Sequence, residues 1–254
     1  MSDFFIIKAD DLNLNRIKGG WQYFLALLKE NSVEADLGVI GKSVVADFPC
    51  KELILRNELF LHGYFHEMME YKDSSLSRQS DLIARTRNKI QQELGILVDI
   101  FGAPGNNISE ETLTALQKNR IKVWFFGKDD SRGGIVNLKN KLRFEFSDQK
   151  PDRFRQQRVY GSALVRKYFN GIRKIEREWL NMRIPDNCGF DELAERYHQL
   201  KNNNLVIGQI HPHQWSRKDL SGFVKFIQFI QNKEKRIILT AGKYVSMQYT
   251  SKIN

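Results

Sequence analysis

The chain has 254 residues, of which 40 are Lys or Arg and 30 are Asp or Glu, so its formal net charge is +10. Hydrophobic residues make up 41% and charged residues 28%, a balance that excludes a disordered chain. No apolar run approaches the roughly 20 residues of a membrane-spanning helix, so we expect no membrane span. The start of the sequence lacks the basic and long apolar regions of a signal peptide, and we predict a cytoplasmic protein with one domain over residues 1–254.

Apolar runs and helix-periodic segments alternate along the chain. Strands are predicted at residues 4–9, 36–40, 59–61, 96–101, 121–126, 205–210 and 236–240, and helices at 20–31, 76–94, 109–119 and 220–231. Gly95 is the expected stop of the second helix, and Ser109 is the expected cap of the third. Strands that alternate with helices indicate a parallel sheet or barrel, in which the chemistry lies at the carboxyl ends of the strands.

Chemically active side chains follow three of these predicted strands. They are Asp10 and Asp11, His62, and the pair His211 and His213. Two imidazoles four residues apart, His62 and His66, can reach one metal ion, although such a pair also arises by chance. The two aspartates have an alternative interpretation as a helix cap or an Asx turn.

Two histidines with one carboxylate leave coordination positions open, as in a catalytic rather than a structural metal site. Such an ion lowers the pKa of bound water and polarises a carbonyl oxygen. A second carboxylate can then act as general base, and a histidine can protonate a leaving amine. The sequence therefore indicates metal-assisted hydrolysis of an amide or ester. It contains no nucleophile elbow, P-loop or dinucleotide fingerprint that would compete with this interpretation.

The order of these motifs resembles that of the polysaccharide deacetylases of carbohydrate esterase family 4, which have the NodB-like fold. The first motif is a strand ending in a double aspartate, here residues 8–11. The second is an H-x-x-x-H pair, here residues 62–66. The third is an aromatic residue before a proline-centred turn, here residues 101–106, and the last is an apolar strand ending in histidine, here residues 205–211.

The resemblance covers residues 4–126 and 204–245. It implies an α/β fold, a distorted (β/α) barrel of the NodB type, and an enzyme that hydrolyses the N-acetyl group of a sugar. It also implies a cofactor, Zn2+ or another divalent transition metal, bound by Asp11, His62 and His66.

The remaining motif residues receive catalytic roles from the same resemblance. Asp10 is the implied general base, and His211 is the implied general acid that protonates the departing amine. His213 is the alternative acid, because either ring of the His-Pro-His segment could face the site. Candidate substrate contacts are Pro104, Asn106 and Trp215.

The sequence departs from the family pattern at two positions. Leu12 follows the double aspartate where glycine is usual, and Gly102 stands where the third motif normally has an arginine that pairs with the base. A basic residue from elsewhere, such as Lys8 or one from residues 131–187, is a candidate to replace that arginine. Loss of catalysis with retained sugar binding is the alternative function.

Most of the net charge of +10 lies in residues 131–187, which carry 14 Lys and Arg against 6 Asp and Glu, a local net charge of +8. We predict that this range is an insertion that shapes the substrate cleft, with Arg153, Arg155 and Arg158 suited to bidentate contacts with phosphate. The alternative is a solvated helix face over an ordinary core.

Because we find no signal peptide, we expect an intracellular N-acetylated substrate, such as a nucleotide-linked or lipid-linked sugar precursor of the lipopolysaccharide O-antigen or of a capsule polysaccharide. The basic segment would then contact the diphosphate of this anionic substrate. A basic, aromatic segment could also bind nucleic acid. We do not expect nucleic acid as a partner, because the charge belongs to one segment of an otherwise near-neutral chain.

Overall fold

The computed structural model describes residues 3–17, 19–126, 172–176, 179–182 and 189–250. Its strands and helices follow in the order β1 (Phe4–Leu12), α1 (Gly20–Glu30), β2 (Asp36–Val39), α2 (Lys51–Leu55), β3 (Glu58–Leu61), α3 (Leu76–Leu94), β4 (Ile100–Gly102), α4 (Glu110–Lys118), β5 (Val123–Phe126), β6 (Arg173–Glu176), β7 (Trp179–Asn181), α5 (Phe190–His198), β8 (Leu205–Ile210), α6 (Arg217–Gln228), β9 (Ile237–Ile238) and α7 (Ala241–Thr250). Among these described helices, none combines the length and the apolar character needed to cross a membrane.

The strands pair in parallel throughout the sheet, in the order β6-β5-β4-β3-β2-β1-β8-β7, and β9 pairs with the start of β1. β6 and β7 lie at the two ends of this order, although only residues 177 and 178 separate them in the chain. A connection of that length spans at most about 11 Å. The sheet therefore curls until its two edges approach, which gives the distorted (β/α) barrel that the sequence predicted.

Alternation along β1 divides its side chains between two apolar clusters. Phe5 and Ile7 belong to the larger cluster, which includes the helix side chains, and Ile6 belongs to a smaller cluster formed mainly by strands. Because side chains alternate along a strand, Lys8 and Asp10 share the inner face with Ile6. Both are buried, so the barrel interior contains charged groups that need partners.

The predicted helix ends are confirmed. Gly95 follows α3 in the left-handed conformation with φ 71°, which an L-residue with a side chain rarely adopts. Ser109 precedes α4 and forms a capping box with Thr112, whose Oγ1 accepts from the Ser109 N–H at 3.0 Å. These local signals act within one turn of helix and are readable from sequence.

Several strand predictions are corrected by the structure. The strand predicted at 96–101 is limited to Ile100–Gly102, and the one predicted at 236–240 is limited to Ile237–Ile238. β6 and β7 lie within the predicted insertion and pair with β5 and β8, so that part of residues 131–187 belongs to the sheet. The sequence did not predict them, since β6 consists of one apolar residue among three charged ones and β7 has only two apolar residues, so neither forms an apolar run. The arginines assigned to phosphate binding, Arg153, Arg155 and Arg158, lie outside the described residues.

Two carboxyl groups from the sheet lie at the start of α7. Asp36 accepts a hydrogen bond from the Ala241 N–H at 3.0 Å, and Glu58 accepts one from the Gly242 N–H at 2.7 Å. Burial and the neighbouring Glu58 carboxyl raise the pKa of Asp36 well above its ordinary value. The folded protein therefore holds a proton on this pair at pH values where the unfolded chain has lost it.

Because the folded state holds this extra proton, we expect the free energy of unfolding to fall as the pH rises. Above about pH 4 the folded state binds one proton more than the unfolded state, so the free energy of unfolding should decrease by up to about 1.4 kcal/mol per pH unit until Asp36 ionises. Asp36→Asn keeps an acceptor for Ala241 and removes the titrating group, so its profile should be flatter. Urea unfolding between about pH 5 and pH 8 measures both. Asp47→Asn, at an exposed position, is the control, and an unchanged slope in the Asp36 variant would contradict the assignment.

Candidate active site

β1 is irregular where the double aspartate stands. Its register with β2 shifts between Ala9 and Leu12, and Asp11 has φ 68°. Neighbouring residues of a regular strand point to opposite faces of the sheet, and a left-handed residue interrupts that alternation. Asp10 therefore stays inside the barrel, while the carboxylate of Asp11 meets the histidines at the carboxyl end of the sheet.

Asp11, His62 and His66 converge at this end of the barrel. Asp11 Oδ1 lies 3.1 Å from His62 Nε2 and 2.6 Å from His66 Nε2, and ligand atoms of all three lie within 4.8 Å of one another. His62 donates its Nδ1–H to the Gly102 carbonyl oxygen at 2.7 Å, which orients the ring with Nε2 toward Asp11. One carboxylate and two imidazoles fit a divalent ion such as zinc, with positions left for water and substrate.

The pKa values of Asp11 and His66 are shifted by burial and by their contacts within the triad. Burial alone would raise the pKa of Asp11, but hydrogen bonds from His62 and His66 outweigh it and hold the pKa far below its ordinary value. Burial would lower the pKa of His66, but the Asp11 carboxylate outweighs burial and raises it. The Asp11 carboxylate is thus stabilised in its ionised form by donors on the two histidines, and a metal ion bound between these groups would take over that role.

Both carboxylate oxygens of Asp10 have donors. The Lys8 ammonium pairs with Oδ1, and the Gln209 side-chain amide donates to Oδ2. Lys8 is fully buried, and its Nζ lies 4.8 Å from the centroid of the Phe60 ring. Burial alone would raise the pKa of Asp10, but Lys8 and two nearby histidines outweigh it and hold the pKa below its ordinary value. Asp10 is thus a buried carboxylate that stays ionised.

Gly102 lies beside Lys8 and Phe60. A Cβ atom on Gly102 would lie 3.5 Å from Lys8 Cε, an ordinary contact, and 3.0 Å from the Phe60 ring, a tight one. The cation that pairs with Asp10 is Lys8, which comes from β1. Lys8, one of the candidates named from sequence to replace the missing arginine, is the residue that occupies this place.

Two further histidines after β8 face the same centre. His211 Nε2 lies 3.9 Å and His213 Nδ1 3.8 Å from Asp11 Oδ2. Burial lowers the pKa of His211 against the opposing effect of Asp10 and Asp11. The His213 side chain is 43% exposed and that of His211 is 23% exposed. Both rings are close enough to meet a substrate bound at Asp11.

The three predicted substrate contacts differ in their exposure. Pro104 is buried, and its Cγ would be 2.7 Å from a Cβ on Gly63. Asn106 is half-buried with φ 58°. Trp215 is 5% exposed and packs edge-on against Phe223, with ring centroids 5.4 Å apart. Pro104 and Trp215 thus offer little surface to a ligand, and all three residues stay predictions as substrate contacts.

Two polar residues of the site were not predicted from sequence. Gln209 is a polar residue inside an otherwise apolar strand, and that interruption was the available signal. Glu70 is 5% exposed and accepts hydrogen bonds from four backbone N–H groups. Nothing in the sequence distinguishes Glu70 from Glu67, which is exposed.

A scan against protein-family models and a search of curated proteins gave no match. Solved structures are similar over nearly the whole chain. A putative polysaccharide deacetylase from Mycobacterium smegmatis has a TM-score of 0.68 at 13% identity, covering 99% of this chain and 92% of that one. A family 4 acetyl xylan esterase from Clostridium thermocellum, in complex with a cobalt ion, has 0.58 at 14% identity, covering 96% and 91%. Peptidoglycan deacetylase PdaC from Bacillus subtilis has 0.55 at 13% identity, covering 99% and 94%.

At these identities the likeness establishes the fold. The chain has the NodB-like fold of carbohydrate esterase family 4, as its motifs predicted. The parallel barrel and the carboxyl-end position of the site described above are features of this chain itself.

Proposed function

We propose that the protein is a metal-dependent carbohydrate deacetylase. The observation that carries this proposal is that Asp10, a buried and ionised carboxylate, lies next to the Asp11, His62 and His66 ligand set at the carboxyl end of the barrel. The fold supports it, since structures with this fold include a peptidoglycan deacetylase and an acetyl xylan esterase with a cobalt ion. Zinc is the proposed ion, because it suits one carboxylate and two imidazoles.

Each residue of the site has a role in this reaction. A divalent ion held by the three ligands would lower the pKa of a water molecule and polarise the acetyl carbonyl. Asp10 accepts the proton of the attacking water, and Lys8 and Gln209 orient its carboxylate for that task. His211 then gives a proton to the departing nitrogen, with His213 as the alternative acid. The products are acetate and a free amine.

We further propose that the substrate of this enzyme is an N-acetylated, anionic sugar. The histidines at the site support an amide, since an amine leaves only when it is protonated. The net charge of +8 in residues 131–187 supports an anionic substrate, such as a nucleotide-linked or lipid-linked precursor of the O-antigen or capsule, with the enzyme in the cytoplasm.

Acetate release tests this function and separates the roles of Asp10 and His211. Zinc-loaded protein should release acetate from N-acetylated sugars, faster from a sugar nucleotide than from a neutral oligosaccharide. Asp10→Asn should lower kcat by about 10²–10⁴-fold on amides and on aryl acetates alike. His211→Ala should lose as much on the amide and far less on an aryl acetate, because a phenolate leaves without protonation.

His213→Ala is the matched control for His211, and zinc content is measured in every variant. A greater loss on the amide in the His213 variant would transfer the acid role to that ring. Absence of acetate release by fully zinc-loaded wild-type protein would contradict the enzyme proposal and leave sugar binding without catalysis.

Lys8 determines the pH at which Asp10 can act. Lys8→Met removes the ammonium group whose charge counteracts the effect of burial on the pKa of Asp10. The pKa of Asp10 should therefore rise, and the base should be ionised only at higher pH. We expect the acidic limb of the kcat/KM profile to move to higher pH, with each unit of displacement equal to about 1.36 kcal/mol. Lys8→Arg keeps the charge and is the control. An acidic limb at the wild-type position in Lys8→Met, with zinc content unchanged, would refute the role of Lys8.

A further inference from the structure

The loop that carries His66 is organised around a buried carboxylate. Glu70 Oε1 accepts hydrogen bonds from the N–H groups of Tyr64 at 2.6 Å and Phe65 at 3.2 Å. Its Oε2 accepts from those of His66 at 2.9 Å and Glu67 at 3.3 Å. Four consecutive backbone donors thus converge on one side chain, which is itself 5% exposed.

Two carbonyl oxygens of the same loop accept hydrogen bonds from the turn after β2. The Gly63 and Tyr64 carbonyl oxygens accept from the N–H groups of Gly41 at 2.9 Å and Lys42 at 2.8 Å. These bonds tie the loop to the turn after β2, while its N–H groups face Glu70. A buried backbone donor without an acceptor is unfavourable, so the group at position 70 decides whether the loop keeps its shape.

The loop conformation is strained at the ligand itself. His66 has φ 64°, a left-handed conformation that is unfavourable for a residue with a side chain. Gly63, at the start of the loop, has φ 78°, and a Cβ there would lie 2.6 Å from Glu70 Oε2. The carboxylate is therefore packed closely against the loop, and its bond to the His66 N–H offsets the strain at that residue.

We infer that Glu70 is a positioning residue for the metal centre. Its hydrogen bonds go to the backbone of the loop, so it acts through His66, whose Nε2 it holds 2.6 Å from Asp11 Oδ1. The inference rests on the proposed metal-dependent function and assigns Glu70 a part of it that neither the motif nor the ligand set contains.

Zinc affinity of Glu70→Gln tests the inference without any assay of activity. The amide has the shape of the carboxylate but turns an NH2 group toward two of the four N–H donors. We expect zinc to bind about 10–100-fold more weakly, as for other groups that orient metal ligands. Glu67→Gln removes the same charge from the same loop at an exposed position and should bind zinc as the wild type does. Competition with a chromophoric chelator gives the dissociation constants.

A double-mutant cycle separates positioning from a contribution to folding alone. In the His66→Ala background Glu70→Gln should cause no further loss of affinity, because Glu70 acts through His66. Glu70→Asp, whose carboxylate is one methylene shorter, is the second variant and should also weaken binding. Urea unfolding of the metal-free proteins shows whether each variant is folded.

Wild-type affinity in Glu70→Gln would overturn the inference. So would an equal loss in both backgrounds, or the absence of cooperative unfolding in both Glu70 variants, since each would mean a purely structural role. Failure of wild-type protein to bind zinc would instead overturn the proposed function, so the two failures are distinguishable.

Discussion

The site depends on a break in the alternation of one strand. Two adjacent carboxylates of a regular strand would point to opposite faces of the sheet, and only one could serve a given site. In β1 the register shifts between Ala9 and Leu12, and Asp11 takes a left-handed conformation. Asp10 therefore faces Lys8 inside the barrel, while Asp11 faces the histidines. The different roles proposed for the two aspartates, a general base and a metal ligand, rest on this local geometry.

The buried ion pair of Lys8 and Asp10 is better explained by chemistry than by stability. Removing two charges from water costs several kcal/mol per ion, and apolar replacements of buried pairs are often neutral or stabilising. The pair does, however, keep a buried carboxylate ionised when burial alone would raise its pKa. The cation of this pair stands on β1, while Gly102, the position on β4 where the family pattern has an arginine, carries no side chain.

The centre is held by backbone geometry as much as by its ligands. His62 is oriented by the Gly102 carbonyl, and the His66 loop is held between the turn after β2 and Glu70. Asn107 adds a contact from the turn after β4, since its side-chain amide donates to the Met68 carbonyl at 2.7 Å. The segments at the carboxyl ends of β2, β3 and β4 therefore all contribute contacts that orient His62 and His66.

Sequence patterns predicted the features that depend on residues close to one another in the chain. Asp10, Asp11 and His62 were identifiable because each follows an apolar strand, and Gly95 and Ser109 because helix ends have local signals. The strands β6 and β7 lack the apolar run that marked the other short strands, and their place in the sheet depends on pairing with β5 and β8. The importance of Glu70 over Glu67 depends on burial by distant segments, and the pairing of Lys8 with Asp10 depends on the barrel interior. Such properties exist only once the chain has folded.

The most direct test of this account is a crystal structure of the zinc-loaded protein with anomalous data at the zinc edge. The account predicts one anomalous peak at the carboxyl end of the barrel, with Asp11 Oδ1, His62 Nε2 and His66 Nε2 each about 2.0–2.2 Å from it. Asp10 should remain paired with Lys8 and stay outside the coordination sphere. Absence of a peak at this position, or a zinc ion bound by other residues, would contradict the account.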